Sequence, residues 1–562
     1  MRAHFTAAVS AAALLLCACV PRGPLLYPPY RWVADEDRAP IEMPAKSERA
    51  IELSTIDSVT LRETEELMAV TGGIQSTMQS AVGGRVEALN VNNFDEVADS
   101  SWFTNRLGRR DLPPAQIAAL MPGFDMAGSG RIEVLAAKTQ GSTPRMFVRD
   151  SSGRRFIIKF EPSSNGGMGL GAELISSLVL RAAGYNVPED RIVEIDPSRF
   201  ALADGATTRD AQGKLRPLTG VEFEALKERI AGGNRRNVRA VSSAFFEGEY
   251  IGPFTYSGTR FKDSNDRIPH QHRRELRGYR MFCALLNMQN PTSAQTADIF
   301  VKTEGERGYV KHYLHDFSSA FGGAGSWLDI EQEAKGPAAA EEGPRRRPFE
   351  PGLREPVVFD DRAEDGAGSL SVVGFDPAKW RPAFNNEAFA HATPRDDFWA
   401  ARIIMRLDDS AIDAIVKRAG LPGSKDAAHV ARALKSRRDA IGRHAFSRVI
   451  PLDRFVAAPA DGGCEVSFSD LAVDHGFERG SEVRYRHRVQ DRLNRSEPTP
   501  WTELHGPSLR LDAGLVNGLG EGRIYVVRIE RKRADERWWG SALDLYVERR
   551  GGEVKILGLE RR

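Results

Sequence analysis

The sequence predicts an α+β fold with a small strand-rich lobe, a larger helical lobe and a small C-terminal β-sandwich. Three observations support this order. Alternating apolar residues begin at Ile132 and indicate strands, whereas apolar residues at helical spacing dominate later and end near Phe446. After Pro451 the period returns to two, which is typical of strands with one buried face.

The composition limits the class of protein. The chain has 562 residues, of which 41% are hydrophobic and 28% charged, and these values are typical of a soluble globular protein with several domains. The net charge of +1 gives no overall field that would favour nucleic acid, so no nucleic-acid partner is predicted. The 4 cysteines are too few for a disulfide framework and show no metal-ligand spacing.

Residues 1–19 have the pattern of a cleavable export signal. A basic start precedes a short apolar run, residues 7–16, and the segment ends in Leu-Cys-Ala-Cys. The leucine and the alanine lie at positions −3 and −1 relative to Cys19, and this pattern resembles a bacterial lipobox, in which the cysteine is lipidated before cleavage. Val20 after this cysteine favours the outer membrane. The alternative is an ordinary secretory signal that contains cysteine.

Residues 20–90 are predicted to form a tether and an N-terminal segment between the lipidated cysteine and the folded body. The part up to residue 46 is rich in Pro and Arg and lacks periodicity, as an extended spacer does. No other stretch reaches the roughly eighteen apolar residues that a spanning helix needs, so we expect a soluble body. Residues 330–385 are rich in Pro, Gly and charge clusters, and we expect an exposed insertion there.

Lys159 is the first candidate for a binding residue. It lies in the last of three predicted strands, Ile132 to Ala137, Arg145 to Asp150 and Arg154 to Phe160, and a tight turn joins the second strand to the third. A lysine within an apolar strand requires an anionic partner, because an unpaired buried charge costs several kcal/mol. Glu173 lies near the start of the next predicted helix, and a strand lysine with a helix glutamate is the pair that positions the α- and β-phosphates of ATP in protein kinases.

Two segments near these residues are candidates for covering phosphate groups. The segment Gly167 to Gly171 precedes the helix and could cradle phosphate with backbone N–H groups. It lacks the Lys-Ser/Thr pair of a Walker motif, however, and a flexible connection is the favoured interpretation. The turn after the first strand is better placed, so its residues Gly141, Ser142 and Thr143 are predicted to cover the phosphates.

Residues 281–323 are predicted to contain a helix, a loop, a β-hairpin and a second loop. Phosphoryl-transfer enzymes of the protein-kinase type have a catalytic loop and a metal-binding Asp-Phe-Gly loop in that order. Asn290 lies at the position of the catalytic aspartate, and Gln295, five residues later, lies at the position of the metal-binding asparagine. Asp316 keeps the metal-binding aspartate.

In their order along the chain, Lys159, Glu173, Asn290, Gln295 and Asp316 resemble the kinase-like superfamily. The chain is most similar to its atypical bacterial and secretory-pathway members, especially to an uncharacterised group of bacterial exported proteins. This resemblance implies that Lys159 holds the phosphates of ATP and that Glu173 holds Lys159. It also implies that Asp316, together with Gln295, binds Mg²⁺ or Mn²⁺.

The same resemblance implies a division into domains. It covers about residues 94–446. We expect a kinase-like N-lobe over residues 91–200 and a helical C-lobe over residues 201–450, which carries the insertion. Residues 455–562 follow as the β-sandwich, which their period-two pattern predicts.

The sequence departs from the kinase pattern at the general base. The amide of Asn290 cannot take a proton near neutral pH. Asp298 and His315 are the other titratable candidates, and Asp298 would serve only in a remodelled loop. Two hypotheses stay open. One is a catalytically degenerate pseudokinase that acts by binding a nucleotide or a protein partner. The other is an active atypical ATP-dependent phosphotransferase that uses Asp298 or Asp316 as its catalytic residue.

A third hypothesis places the function in the C-terminal part. Trp538 and Trp539 lie between predicted strands, either in the core of the sandwich or as an exposed binding ledge, and the core position is favoured. On this hypothesis the protein binds a glycan or another protein of the envelope. With lipidation of Cys19, the sequence predicts a lipid-anchored protein of the bacterial cell envelope, on the outer membrane and facing the periplasm or the cell surface.

Overall fold

The computed structural model describes residues 37–46, 86–123, 130–139, 144–161, 168–210, 215–231, 237–317, 320–322, 370, 372–382, 384, 386–421, 423–491 and 497–562. Several predictions lie outside these residues. They are the export signal with Cys19, most of the tether, the turn residues Gly141, Ser142 and Thr143, and most of the insertion.

The described residues form a mixed α+β structure. The helices are α1 (Pro114–Ala118), α2 (Met168–Ala183), α3 (Gly220–Ala231), α4 (Arg274–Leu286), α5 (Glu387–Ala390), α6 (Pro394–Ile404), α7 (Asp409–Ala419), α8 (Ser424–Arg448), α9 (Leu471–Asp474) and α10 (Ala513–Gly518). Among these described helices, none combines the length and the apolar character that crossing a membrane requires.

The strands carry the labels β1 to β18 in chain order. They are β1 (Ile132–Lys138), β2 (Arg145–Arg149), β3 (Arg155–Phe160), β4 (Asp190–Ile195), β5 (Phe200–Arg209), β6 (Leu215–Pro217), β7 (Val238–Ala244), β8 (Glu249–Gly252), β9 (Thr296–Glu304), β10 (Arg307–Leu314), β11 (Leu452–Ala460), β12 (Gly463–Asp470), β13 (Val483–Asp491), β14 (Thr502–Leu504), β15 (Ser508–Leu511), β16 (Ile524–Arg533), β17 (Ala542–Arg550) and β18 (Glu553–Arg561).

The chain divides into two compact units. The larger unit comprises residues 37–46 and the described part of Val97–Arg448. The smaller unit comprises residues 86–96 and the described part of Val449–Arg562. Residues 86–96 therefore belong with the C-terminal strands. The backbone N–H of Leu559 donates to the carbonyl of Asn93 at 2.8 Å.

A seven-stranded sheet in the larger unit has the order β4-β7-β3-β2-β1-β5-β6. Strands β1 and β5 are parallel, and the other neighbours are antiparallel. The three strands predicted from alternation are confirmed, since inward residues such as Val134, Val148 and Ile158 are buried in one hydrophobic core. The hairpin of β2 and β3 places Arg145 directly opposite Lys159.

Helix α2 begins within the segment for which the sequence favoured a flexible connection. Gly169 and Gly171 are buried residues of this helix, so that prediction is wrong for both of them. The reason is packing, because a Cβ atom at Gly171 would lie 2.1 Å from a methyl carbon of Leu421. The carboxylate of Glu161 accepts hydrogen bonds from the first N–H groups of the helix, including that of Gly169 at 2.9 Å.

Helix α4 leads the chain to Asn290. Asn287 ends the helix in the left-handed conformation, with φ of 46°. Gly278 permits the close approach of α6, because a Cβ atom there would lie 2.7 Å from the ring of Trp399. Trp380 belongs to the predicted exposed insertion, but it is buried and its indole N–H donates to Oδ1 of Asn287 at 3.2 Å. The expectation of exposure is therefore wrong for Trp380, because its indole is bound at the end of α4.

The predicted β-hairpin within residues 281–323 is confirmed by β9 and β10. The two strands are antiparallel, and Thr296 lies opposite Leu314 at the open end of the hairpin. Strand β8 pairs with the other edge of β9. Strand β10 ends at Leu314, two residues before Asp316. The hairpin therefore fixes the position at which Asp316 leaves the sheet.

The smaller unit contains two antiparallel sheets, ordered β11-β12-β15 and β14-β13-β16-β17-β18, which share one hydrophobic core. The predicted period of two after Pro451 is confirmed, as is the turn at Gly551 and Gly552, both of which have positive φ. The core position is wrong for Trp538, which is 72% exposed. This residue lies in the connection between β16 and β17, where the guanidinium of Arg537 is 5.1 Å from its ring.

Candidate functional site

Three of the predicted site residues meet at one point. Nζ of Lys159 donates to Oε1 of Glu173 at 2.8 Å and to Oδ1 of Asp316 at 3.0 Å. Strand β3 positions Lys159, helix α2 positions Glu173, and the segment after β10 positions Asp316. The ammonium group therefore contacts two carboxylates, as a lysine inside an apolar strand requires.

Arg145 belongs to the same cluster, although the sequence pattern did not single it out. Its Nη2 donates to Oδ2 of Asp316 at 3.0 Å. Like charges directly opposite each other in an antiparallel pair repel, and Arg145 faces Lys159 in this way. The carboxylate of Asp316 bridges the two cations and offsets their repulsion. The tight turn between β2 and β3 could have predicted that Arg145 faces Lys159, because residues at equal distances from such a turn lie opposite one another.

The backbone at Asp316 is held in an unusual conformation. Its φ is +63°, in the left-handed region, which costs most residues other than glycine roughly 1–2 kcal/mol. The ion pairs with Lys159 and Arg145 offset this cost. The conformation therefore depends on contacts made by the side chain.

The exposed fractions of the side chains show from which side a ligand can reach the cluster. Glu173 is 1% exposed and Lys159 7%, whereas Asp316 is 16% and Arg145 25% exposed. A ligand that enters from solvent would therefore contact Arg145 and Asp316 first. Nε of Arg145 is buried and has no hydrogen-bond partner among the described residues, so the exposure of this side chain lies at its other atoms.

The charges of the cluster shift the pKa values of its members. Burial raises the pKa of Glu173 to about 7, although the charge of Lys159 opposes the shift. Burial also acts to raise the pKa of Asp316, but Arg145 and Lys159 outweigh it and hold this pKa well below its usual range. For Lys159, burial acts to lower the pKa, and the two carboxylates outweigh burial and raise it. Lys159 therefore stays charged at neutral pH.

Asp190, the first residue of β4, is a further buried carboxylate whose charge interacts with Lys159. It accepts hydrogen bonds from the hydroxyl groups of Ser177 at 2.6 Å and Ser243 at 2.5 Å. Burial raises the pKa of Asp190, and the charge of Lys159 opposes the rise. Because Ser177 lies one turn after Glu173 on α2, the same helix face supports both carboxylates.

Asn290 and Gln295 lie in the loop between α4 and β9. Oε1 of Gln295 accepts hydrogen bonds from the hydroxyl of Thr292 at 2.6 Å and from its backbone N–H at 3.3 Å, which forms a capping box. Both acceptor positions of this oxygen are thus used, and Gln295 would have to leave the capping box before it bound a metal. The backbone N–H of His315 donates to the Gln295 carbonyl at 2.9 Å, which connects this loop to Asp316.

The two other candidate bases are engaged elsewhere. Asp298 is fully buried, and its oxygens lie 2.6 Å from Nδ1 of His312 and 2.6 Å from Nη1 of Arg260. Burial lowers the pKa of His315 to about 4, so its ring is neutral at neutral pH. Nε2 of His315 lies 3.2 Å from the carbonyl oxygen of Thr296, a contact in which the ring nitrogen donates.

Comparisons with known proteins find no matching family model and no matching curated protein. Two solved structures with partial similarity are kinases. One is the proinflammatory kinase CtkA of Helicobacter pylori, 11% identical, with 55% of this chain and 93% of that chain covered and a TM-score of 0.28. The other is the golgi casein kinase, 8% identical, with 76% and 95% covered and a TM-score of 0.28. Likenesses of this size decide neither the fold nor the function of the chain.

The pKa of Glu173 predicts a pH dependence of stability. The folded protein keeps this proton up to about pH 7, whereas an unfolded chain releases it near pH 4.5. Between these values Glu173 binds more protons in the folded state, so its contribution to the free energy of unfolding falls as pH rises, by at most about 1.4 kcal/mol per pH unit. Glu173→Gln removes this contribution, and the free energy of unfolding of the variant is expected to change with pH by a slope that is more positive than that of the wild type, as denaturant unfolding across the same pH range would measure.

Glu194 on β4 offers a matched control, because it is an exposed glutamate of the same sheet. Glu194→Gln is expected to keep the slope of the wild-type protein. An identical slope in the Glu173 variant and the wild type would show that Glu173 does not titrate between these values.

Proposed function

We propose that the larger unit is a two-lobed, kinase-like body that binds the phosphate groups of a nucleotide without transferring them. The position of Lys159, with its Nζ 2.8 Å from Glu173 and 3.0 Å from Asp316, carries this proposal. In protein kinases a strand lysine, paired with a glutamate of the following helix, holds the α- and β-phosphates of ATP. Asp316 follows a hairpin, as the metal-binding aspartate of that class does.

The charges around Lys159 support an anionic ligand. Arg145 adds a second cation, and a guanidinium forms paired hydrogen bonds to phosphate oxygens. It is the most exposed member of the cluster, with a side chain that is 25% exposed. A phosphate group at this position would accept hydrogen bonds from Arg145 and Lys159 together.

The groups near the loop do not support phosphoryl transfer. A general base must accept the proton of the substrate hydroxyl, and the amide of Asn290 cannot do so. Asp298 is held by Arg260 and His312, and burial lowers the pKa of His315 to about 4, which makes its ring a weak base. Binding is therefore the activity that agrees best with these contacts.

The predicted cofactor, ATP with Mg²⁺ or Mn²⁺, fits the site only in part. Its phosphates fit the two cations. The metal does not fit the present arrangement, because the two oxygens of Asp316 contact Lys159 and Arg145, and Oε1 of Gln295 lies in the capping box. Among the described residues, no group of three or more His, Cys, Asp or Glu side chains could hold a metal ion.

Nucleotide binding is testable by thermal unfolding of the full chain. ATP and ADP are expected to raise the Tm, since a ligand at about 100 times its Kd stabilises the folded state by about 2.7 kcal/mol. Lys159→Ala is expected to abolish the shift, because it removes the cation between Glu173 and Asp316. Lys379→Ala, at a lysine whose side chain is 69% exposed, is the control and is expected to keep the shift.

The same preparations distinguish binding from catalysis. A wild-type protein whose Tm responds to neither nucleotide would contradict nucleotide binding. Incubation with radiolabelled ATP is expected to transfer no label to a protein acceptor. Label transfer that Asp316→Ala abolishes would instead favour the active phosphotransferase.

The proposed location is the bacterial cell envelope, with a lipid on Cys19 as the anchor. The apolar run and the Leu-Cys-Ala-Cys sequence at residues 16–19 support this location. An exported protein meets little ATP, which is an argument against phosphoryl transfer from ATP. Cys19→Ser is expected to move the protein from the membrane fraction to the soluble fraction of lysed cells, whereas Cys17→Ser is expected to leave it there. Equal membrane recovery of both variants would contradict lipidation of Cys19.

A second candidate function is ligand binding by the smaller unit, and the exposure of Trp538 favours it. The guanidinium of Arg486 lies 4.2 Å from the ring of Trp501 and 4.4 Å from that of Trp539, the residue that follows Trp538 in the sequence. Exposed apolar groups within a polar surface mark binding sites for other molecules. The ligand proposed for this surface is a glycan or a protein of the envelope.

Trp538→Ala is expected to weaken binding of soluble cell-wall glycan fragments to the full chain, as calorimetric titration would measure. The loss follows from removal of the exposed ring. Val456→Ala, at a residue of the same unit that is 57% exposed, is expected to bind as the wild type does. Equal affinity of the two variants would remove Trp538 from the binding surface.

A further inference from the structure

The ion pair between Arg145 and Asp316 bears on the role of the metal. In a site of the kind proposed above, the aspartate after the hairpin would bind a divalent cation that contacts the phosphates. In this chain Nη2 of Arg145 lies 3.0 Å from Oδ2 of Asp316, and Nζ of Lys159 lies 3.0 Å from Oδ1. We propose that Arg145 takes the place of the metal ion, so that the site binds nucleotide phosphates without a divalent cation. This inference rests on the proposed function of the same site.

The position of Arg145 is fixed by the sheet. It faces Lys159 across the β2–β3 hairpin, and both side chains reach the same carboxylate. A guanidinium remains charged at every pH at which the protein is folded. Arg145 therefore neutralises Asp316 permanently, as a tightly bound metal ion would do.

The guanidinium also has donors for a phosphate group. The side chain of Arg145 is the most exposed of the cluster, although its Nε is buried. Arginine presents its N–H groups as a fork that matches two phosphate oxygens. One guanidinium could thus contact Asp316 through Nη2 and a phosphate through its other donors, which is the bridging contact that a metal ion makes.

Both metal ligands that the kinase resemblance implies are engaged by protein groups. A divalent cation at Asp316 would lie close to the ammonium of Lys159 and the guanidinium of Arg145, and like charges at such distances repel strongly. Oε1 of Gln295 accepts the hydroxyl proton of Thr292 at 2.6 Å. Metal binding would therefore require the loss of contacts on both sides of the site.

Calorimetric titration of the full chain with ADP, once in EDTA and once in excess Mg²⁺, tests the inference. The wild-type protein is expected to bind ADP with the same affinity in both buffers. Arg145→Gln is expected to lose affinity in EDTA by about tenfold or more, the size expected for one charge-assisted hydrogen bond. Mg²⁺ is expected to restore part of this loss, because Oδ2 of Asp316 no longer contacts a guanidinium in this variant.

Arg149→Gln is the matched control. Arg149 lies on the same strand and is paired with Glu133 at 2.7 Å, with a side chain that is 47% exposed. This variant is expected to bind ADP as the wild type does in both buffers.

The outcomes separate the inference from the proposed function. ADP binding by the wild type that disappears in EDTA and returns with Mg²⁺ overturns the inference and leaves nucleotide binding intact. Binding in neither buffer overturns both. The comparison of buffers uses the wild-type chain, so it decides the question even if Arg145→Gln does not fold. An Arg145→Gln protein that folds and binds normally in EDTA also overturns the inference.

Discussion

The carboxylate of Asp316 is the contact on which the larger unit depends. It neutralises Arg145 and Lys159, which face each other across a hairpin. Asp316 lies 171 residues after Arg145 and 157 residues after Lys159 in the chain. Two like charges about 4 Å apart repel by about 4 kcal/mol at an effective dielectric constant of about 20. That energy is a large part of the stability of a typical domain. An anion is therefore required here by the fold itself, whether or not a ligand is bound.

Buried ion pairs also fix the segments that deliver Asp316 and the loop before it. Arg260 binds Asp298 at the start of β9 at 2.6 Å, and Arg274 of α4 binds Asp396 of α6 at 2.8 Å. Such pairs seldom add stability over well-packed apolar residues, but removal of one partner is strongly destabilising because a buried charge is left alone. They therefore favour one arrangement of α4, β9 and β10. Asp298, a sequence candidate for the general base, is used in this way by the fold.

Local patterns predicted the strands around Lys159 and the β9–β10 hairpin, because alternation directly reflects which face of a strand is buried. The burial of Lys159 predicted an anionic partner, and the kinase-like order of a strand lysine and a helix glutamate pointed to Glu173, only 14 residues away. No comparable sequence pattern predicted the contacts between distant segments. Gly171 is buried against Leu421, Trp380 is bound at the end of α4, and the pairing of Arg145 with Asp316 joins two segments. Hydrophobicity alone likewise placed Trp538 in a core, although its position in a connection leaves it exposed.

Two features of the site agree with the proposed binding role: Asn290 cannot accept a proton, and Arg145 contacts Asp316. Phosphoryl transfer needs a positioned base and electrostatic groups that act more strongly on the transition state than on the bound nucleotide. On the proposed function, the guanidinium that Asp316 holds would bind the phosphates of a nucleotide, and Asn290 would leave the substrate hydroxyl without a proton acceptor. Binding that is equally strong in the ground state and the transition state lowers Kd and leaves the rate of the chemical step unchanged. A site of this proposed kind would therefore need Lys159 and Arg145 for binding, although it transfers no phosphoryl group.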